Sequence, residues 1–485
     1  MDRIPETGLD FKDFEKWSFD MGMAFARMLM ETALESLDDK IMKERDKSVY
    51  RARDLRRLTI KTLMGEIEIK RRLYRTDDGG YVCLLDESIG LDTTGRMSVN
   101  LVRHIAETVT ECSYRSTADA VSAMTGQRIS HGGVWNVVQA TGEKIRKNDE
   151  NNAKLAKIFP DRGKKTVKVL HEEFDGVWIN MQGKDRPEKG RKSEMKLSVC
   201  YEGMECKGKD SKGNTVYDMV NPMYMAGFED VGKFREKKEG MIGSVYNLDE
   251  IEVRLVNGDG GGWVRSAAES CGENVHIQLD PFHIKREITG SGLSKEQRKE
   301  ITGLLESGKI SEVHACIGAV MQNEPDADRK EKIRKLSVYL ENNGGYLIPV
   351  KKRSLNLPDP PDGIIYGGMG VMESSVCNIA ALRMKKRKAS FTKDGAVNLA
   401  RLICFKRSGR LADEVYGLSK AQLPMIIEEV ITTVLSAARA PKKDGKGYAY
   451  PVSGGLPFSG AAVTNGRKAV KGLTDLRSFT ELIFR

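Results

Sequence analysis

Thr166-Val-Lys-Val-Leu-His-Glu-Glu-Phe-Asp175-Gly-Val-Trp-Ile-Asn-Met181 is the stretch on which the fold turns. It has the two-residue period of a strand, and a carboxylate, Asp175, interrupts that pattern late in the run. A charged turn follows from Gly183 to Lys192, then two more strand patterns, Met195-Lys-Leu-Ser-Val-Cys-Tyr201 and Thr215-Val-Tyr-Asp-Met-Val220. Residues 229–245 read as helix, and Ile251-Glu-Val-Arg-Leu-Val256 as strand. Gly262-Trp-Val-Arg-Ser-Ala-Ala-Glu269 reads as a short helix, and Val275-His-Ile-Gln-Leu279 as another strand. Three meandering strands followed by helix, strand, helix, strand make an α/β order.

Acidic residues stand at three informative places. Asp175 closes the first strand pattern, Asp259 lies in Asn257-Gly-Asp-Gly-Gly261, and Glu373 opens a helical pattern running through Lys388. A carboxylate near a packed sheet is costly unless a cation or hydrogen bonds compensate it. Three that converge are able to hold divalent ions, which activate water or a 3′-hydroxyl against phosphodiesters. Each has a plainer reading: Asp259 as a turn residue, Asp175 as a strand-end acid, Glu373 as an acid favoured by a helix N-terminus. Glu173 shares the strand face of Asp175 and is an accessory-ligand candidate. Asp280 competes with Asp259, since it also ends a strand; it begins Asp280-Pro-Phe-His283, where His283 alone reads as a core histidine.

The flanks differ in character. Residues from Phe11 to about Arg45 carry apolar positions at helical spacing, whose ordinary role is packing against their own domain. A hairpin turned near Met64-Gly65 follows, with a basic polar face (Lys61, Lys70, Arg72) suited to phosphates. Ser98 to Lys147 reads as successive helices. Within it, Ser116 to Gly126 and then Ile129-Ser130-His-Gly-Gly-Val-Trp-Asn-Val-Val-Gln139 resemble a helix-turn-helix, with an ordinary helical hairpin as the alternative. Arg128, Ser130, His131, Asn136 and Gln139 are the side chains able to reach bases there. Lys147 to Lys165 reads as linker, residues 290–345 as charged helices, and the stretch from about Ala440 as a poorly ordered tail. The 485 residues carry 79 Lys and Arg against 69 Asp and Glu, a net +10 that favours a polyanionic partner. Eight scattered cysteines without a CxxC pair look like reduced thiols rather than a zinc site. Neither a signal-peptide core nor an apolar run of bilayer length is present, so the expectation is a cytoplasmic, nucleoid-associated protein without membrane partners.

Four segments carry a resemblance: Phe174-Asp-Gly-Val-Trp-Ile179, Asn257-Gly-Asp-Gly-Gly-Gly-Trp263, Leu279-Asp-Pro-Phe-His-Ile-Lys-Arg286 and Gly370-Val-Met-Glu-Ser-Ser-Val-Cys-Asn378. As an ordered set spanning nearly the whole chain, they resemble the ISLre2 (UPF0236) bacterial insertion-sequence transposases, within the Mutator-like DDE transposases. The resemblance implies a ribonuclease H-like (RNase H-like) catalytic core, a mixed five-stranded sheet, interrupted by an all-helical insertion and preceded by a mainly helical DNA-binding region. It implies Asp175, Asp259 and Glu373 as the catalytic and metal-holding acids, on strand one, after strand four and on the helix after strand five. Asp280 and His283 match a motif lying between the second acid and the Glu, and take supporting roles with Glu173. The run Arg383-Met-Lys-Lys-Arg-Lys388 ordinarily reads as a solvated face, but it continues the helix that opens at Glu373, which makes Arg383, Lys386 and Lys388 candidate DNA-backbone contacts.

The expected domains are 1–95 (helix and hairpin), 96–160 (helix-turn-helix-like), 161–289 (first part of the core), 290–362 (helical insertion), 363–440 (second part, with the Glu373 helix) and 441–485 (tail). The implied reaction is cleavage and strand transfer of DNA at terminal inverted repeats with two Mg²⁺ or Mn²⁺ ions. Its partners are element ends and target DNA, in a homodimer or larger assembly. A structure-specific nuclease of the same fold, or a non-catalytic regulator derived from a transposase, are the alternatives.

Overall fold

In the computed structural model, residues 10–90, 96–269, 274–385 and 389–417 are described. They fall into two compact units, one of the described residues up to Val137 together with 415–417, the other of those in Val138–Glu414. Among the described residues no helix is long and apolar enough to cross a membrane.

In the first unit, α1 (Phe11–Glu44) starts at Asp10, whose side chain accepts from the Asp13 N–H. Strands β1 (Arg51–Thr62) and β2 (Gly65–Arg75) form the expected hairpin; β3 (Tyr81–Val82) pairs only with the end of β2. Much of the outer edge of β2 therefore has no strand partner. Helix α1 covers it: Glu31, Glu35 and Asp38 accept from the N–H groups of Glu68, Lys70 and Arg72 at 2.8, 3.2 and 3.2 Å. The periods are close, since helical steps of four and three residues rise about 6 and 4.5 Å against about 6.8 Å for each two-residue strand step. This ladder explains why Glu31 and Asp38 are buried. The other half of α1 departs from the expected packing, with Phe11, Phe14, Trp17, Phe19 and Phe25 exposed. Helices α2 (Leu84–Ser88), α3 (Val99–Glu111) and α4 (Tyr114–Thr125) follow. Helix α4 ends at Gly126 in the left-handed region, φ 64°, and Ser130 caps the next helix by accepting from the Gly133 N–H at 3.0 Å.

That next helix, α5, runs from His131 to Ile158. It continues through most of the stretch read as linker, because Ile145, Ala153 and Ala156 supply buried apolar positions among the charges. The second unit is built on one mixed sheet. Its strands are β4 (Val169–Asn180), β5 (Lys192–Tyr201), β8 (Met223–Gly227), β9 (Val253–Gly258) and β10 (Val275–Leu279), in the order β10-β9-β4-β5-β8. Strands β10, β9 and β4 pair in parallel, β5 runs against β4, and β8, antiparallel to β5, runs in the direction of β4 again. The segment read as the third strand is instead β7 (Thr215–Met219), which forms with β6 (Met204–Lys209) and β11 (Ile364–Ile365) a separate small sheet. Five buried residues, Met223 to Gly227, take the third place.

One sheet face packs Leu170, Phe174 and Val256 against α6 (Val231–Gly243) and α7 (Gly262–Glu269). Arg401 of α13 (Lys393–Arg407) grips Asp149 of α5 with two hydrogen bonds of 2.8 and 2.7 Å and donates to the Tyr224 carbonyl of β8 at 2.7 Å. Helices α8 (Pro281–Gly290), α9 (Lys295–Glu306), α10 (Ile310–Asn323) and α11 (Ala327–Asn342) have their own core around Ile301, Val313, Ile333 and Leu340. Helix α12 (Met372–Val376) runs straight into a π-helical stretch, Cys377–Lys385.

Candidate active site

Register places the acids in a row. Glu173 pairs with Asn257 and Phe174 with Gly258 across β4 and β9; Gln278 pairs with Asn257 and Leu279 with Gly258 across β10 and β9. Asp175 is the next residue along β4, while Asp259 and Asp280 are the first residues past the ends of β9 and β10, so all three follow this level on neighbouring strand lines. The Asp280 N–H donates to the Gly258 carbonyl at 2.7 Å and fixes that level. Asp175 is central in the sheet, next to Asp259; Asp280 is one strand further away.

Each acid commits one oxygen to a nearby N–H: Asp175 to Gly176 at 2.7 Å, Asp259 to Gly261 at 2.8 Å and Asp280 to Phe282 at 3.0 Å. Asp280 thereby caps α8, a structural task that Asp175 does not share. Among the described residues, none of these acids or Glu373 pairs with a lysine or arginine. The Asp175 carboxyl is pushed up to about 6 by burial, with the charges of Asp259 and Glu373 adding to the rise; His283 and the Gly176 N–H pull it down. Asp175 thus feels Asp259, Glu373 and His283 together. His283 is buried, its Nδ1 3.9 Å from an Asp280 oxygen. Among the described residues, no three His, Cys, Asp or Glu side chains are gathered into a ready-made metal-binding group.

One residue back from the Phe174, Gly258 and Leu279 level lies a second row. The Glu173 carboxylate accepts from Tyr201 Oη at 2.7 Å, Asn257 Nδ2 at 2.8 Å and the N–H groups of Gly370 and Val371 at 3.0 and 3.3 Å. Asn257 Oδ1 accepts from Gln278 Nε2 at 3.0 Å, and Gln278 Oε1 from the Val350 N–H at 2.8 Å. This buried ladder crosses three parallel strands and ends on the backbone at both sides. Its Glu173 end fixes the segment that delivers Glu373; Gly370, at φ 119°, adopts a backbone open mainly to glycine. Nearby, His171 Nε2 accepts from the Gly367 N–H at 3.1 Å, and burial pushes its pKa down to about 4, keeping it the neutral acceptor that this bond needs.

The buried carboxylate of Glu173, read as an accessory-ligand candidate, is thus occupied by four donors. Asn257, Gln278, Tyr201 and His171 were not singled out in the sequence. Their trace is a repeated step, Glu173-x-Asp175, Asn257-x-Asp259 and Gln278-x-Asp280, legible once the strands are aligned. Beyond Asp259, a cleft of about 410 Å³ is lined by Arg286, Glu287, Tyr339, Asn342 and Asn343. There Gly260, at φ 76°, leaves no room for a Cβ, which would stand 2.6 Å from Asn343 Oδ1.

The candidate DNA contacts divide. Arg128, Ser130, His131 and Asn136 are exposed at the start of α5. Gln139 is not available in the same way, because its Oε1 accepts from Asn398 Nδ2 at 2.8 Å. Arg383 is buried, since the π-helical stretch turns it inward beside Met384. Lys386 and Lys388 lie outside the described residues, as does the expected tail, 441–485.

The profile of UPF0236, an uncharacterised protein family, matches residues 5–420, and the chain belongs to that family. No curated protein matches. Among solved structures, the Drosophila P element transposase strand transfer complex is similar at 9% identity and a TM-score of 0.22, covering 79% of this chain and 93% of that one. A likeness of that size carries no argument about the site.

Proposed function

We propose that the protein is a DDE transposase that cleaves and joins DNA at the terminal inverted repeats of an insertion sequence. The observation that carries this reading is the register that brings Asp175 of β4 beside the turn holding Asp259, just past the end of parallel β9, with the segment leading to Glu373 tied to β4 through Glu173. The strand order β10-β9-β4-β5-β8 supports an RNase H-like core, and the separate core of α8–α11 supports an all-helical insertion, 290–362.

The donor set fits a hard divalent cation, since the three acids offer only oxygen and, among the described residues, none forms an ion pair with a lysine or arginine. Asp175, Asp259 and Glu373 would hold Mg²⁺ or Mn²⁺, which supplies charge for activating a water or a 3′-hydroxyl and for stabilising the leaving oxygen. Asp175 and Asp259 present fixed carboxylates because their other oxygens are tied to Gly176 and Gly261. Glu173 acts through position, keeping Gly370–Val371, and so Glu373, against the sheet. Asp280, one strand away and engaged as a helix cap, takes the supporting place together with His283.

The test is strand transfer in Mg²⁺ with duplexes carrying the element's ends, comparing wild type with Asp175→Ala, Asp259→Ala, Asp280→Ala and Glu373→Ala. Joined products should vanish for residues 175, 259 and 373 while DNA binding persists, and fall only partly for 280. Full activity in Asp259→Ala would overturn the assignment; cleaved ends that never join would identify a nuclease instead.

A further inference from the structure

The hairpin's basic residues sort differently from their order in sequence. Lys61 donates to the Arg128 carbonyl at 2.9 Å, Arg72 is held by Asp38 and Asp39 at 2.7 Å, and Arg71 by Asp86 at 2.6 Å. Further from the turn, every residue of β1 from Arg51 to Arg57 is exposed. Arg51 stands opposite Arg75, Arg56 opposite Arg71 and Arg57 opposite Lys70, three like-charged pairs in direct register. Like charges so placed weaken a sheet. Arg53 is the extra residue of a bulge, unpaired in the register between Ala52 and Asp54, and a bulge re-aims its side chain. Asp54 and Glu68 offset Arg56 and Arg57, whereas Arg51, Arg53 and Arg75 enter no ion pair among the described residues. Charging an edge strand also prevents edge-to-edge pairing, but that purpose does not require one sign, nor like charges facing each other.

We propose that this open end of the β1–β2 ribbon is a docking surface for the phosphate backbone of duplex DNA, with Arg51, Arg53 and Arg75 as its principal contacts. The inference rests on the transposase reading for its partner. Its own warrant is charge complementarity: the facing Arg51 and Arg75 and the bulged Arg53, which enter no ion pair among the described residues, are relieved by a polyanion. The guanidinium fork suits phosphate oxygens, and Arg51 to Arg57 spans about 20 Å of strand, enough to follow several phosphates. Contacts of this kind carry no base information, so the ribbon adds affinity and register to whatever α5 reads.

The experiment is DNA binding by the full chain across a salt series, with end-containing and unrelated duplexes. Wild type is compared with the triple variant Arg51→Gln, Arg53→Gln, Arg75→Gln, and with a control removing the same charge from the exposed β6–β7 hairpin (Lys207→Gln, Lys209→Gln, Lys212→Gln). In the ribbon variant the slope of log affinity against log salt should shrink by about 2.7, equally for both duplexes. Its melting temperature should not fall, because the Arg51–Arg75 repulsion is gone. An unchanged slope, an equal loss in the control, or binding of wild type to anionic vesicles but not to DNA would overturn the proposal. Wild type that binds DNA with an unaffected ribbon variant leaves the transposase reading intact, whereas wild type that binds no DNA removes both.

Discussion

Glu172 and Asp175 sit on one strand but on its two opposite faces, and their surroundings differ in kind. On the α6 side, Glu172 is fully buried between Lys238 and Arg254, and Arg254 also grips Glu239 at 2.8 Å. On the other side, Asp175 has carboxylate neighbours and a histidine, and among the described residues no lysine or arginine is paired to it. The same sheet thus buries compensated charge on one face and uncompensated charge on the other. The first arrangement is what a fold tolerates for its own sake; the second is retained when something outside the chain supplies the missing positive charge.

Breaking the compensated face should have the largest effect. Glu172→Gln removes the fully buried one of the two carboxylates that Lys238 and Arg254 share, leaving Glu239 to both, and about 3–5 kcal/mol should be lost in urea unfolding. A change within about 0.5 kcal/mol would mean that the cluster is not the counterweight described.

Glu173, compensated by neutral donors rather than cations, is the intermediate case. In Glu173→Gln an amide N–H would face the Gly370 and Val371 N–H groups, loosening the segment that carries Glu373. Strand-transfer rate should fall about 10–100-fold with DNA affinity unchanged, the size seen when a supporting partner of a metal ligand is lost. Loss of DNA affinity in parallel would point to general unfolding.

Relieving the uncompensated face should have a smaller effect of opposite sign. In metal-free buffer, Asp175→Asn should melt higher than wild type, by on the order of 1 kcal/mol or about 2–4 °C. A lower melting temperature would show that Asp175 is a stabilising residue.

The smallest effect concerns Glu31 of α1, a carboxylate pushed up to about 7 by burial although the Glu68 N–H pulls the other way. Because the folded pKa lies above the unfolded one, the folded state binds more protons between about 4.5 and 7. This group's contribution is therefore complete below about 4.5 and lost as pH rises through about 7. Thermal melts from pH 5 to 8 should show a flatter decline in Glu31→Gln than in wild type; parallel curves would contradict the shift.

Alternation in 166–181, 251–256 and 275–279 made the parallel strands legible, and with them Asp259 and Asp280 just past strand ends; Asp175, read as closing its strand, lies midway along β4, which pairs with β5 as far as Asn180. What escaped depends on tertiary company. Met223–Gly227 lacks polar alternation because it is buried throughout, so the exposed Thr215–Met219 took its place in the reading. The burial of Arg383 and the Gln139–Asn398 bond arise from partners distant in sequence. Glu173 lies beside Asp175 in the chain, yet its four donors come from Tyr201, Asn257, Gly370 and Val371, which no local pattern links to it.

The most direct measurement is a Mn²⁺ titration followed by electron paramagnetic resonance, with end-containing duplex present, on wild type, Asp175→Asn and Asp280→Asn. The account requires wild type and Asp280→Asn to bind Mn²⁺ and Asp175→Asn to lose that binding. Equal Mn²⁺ uptake by wild type and Asp175→Asn, or none by wild type, would contradict it.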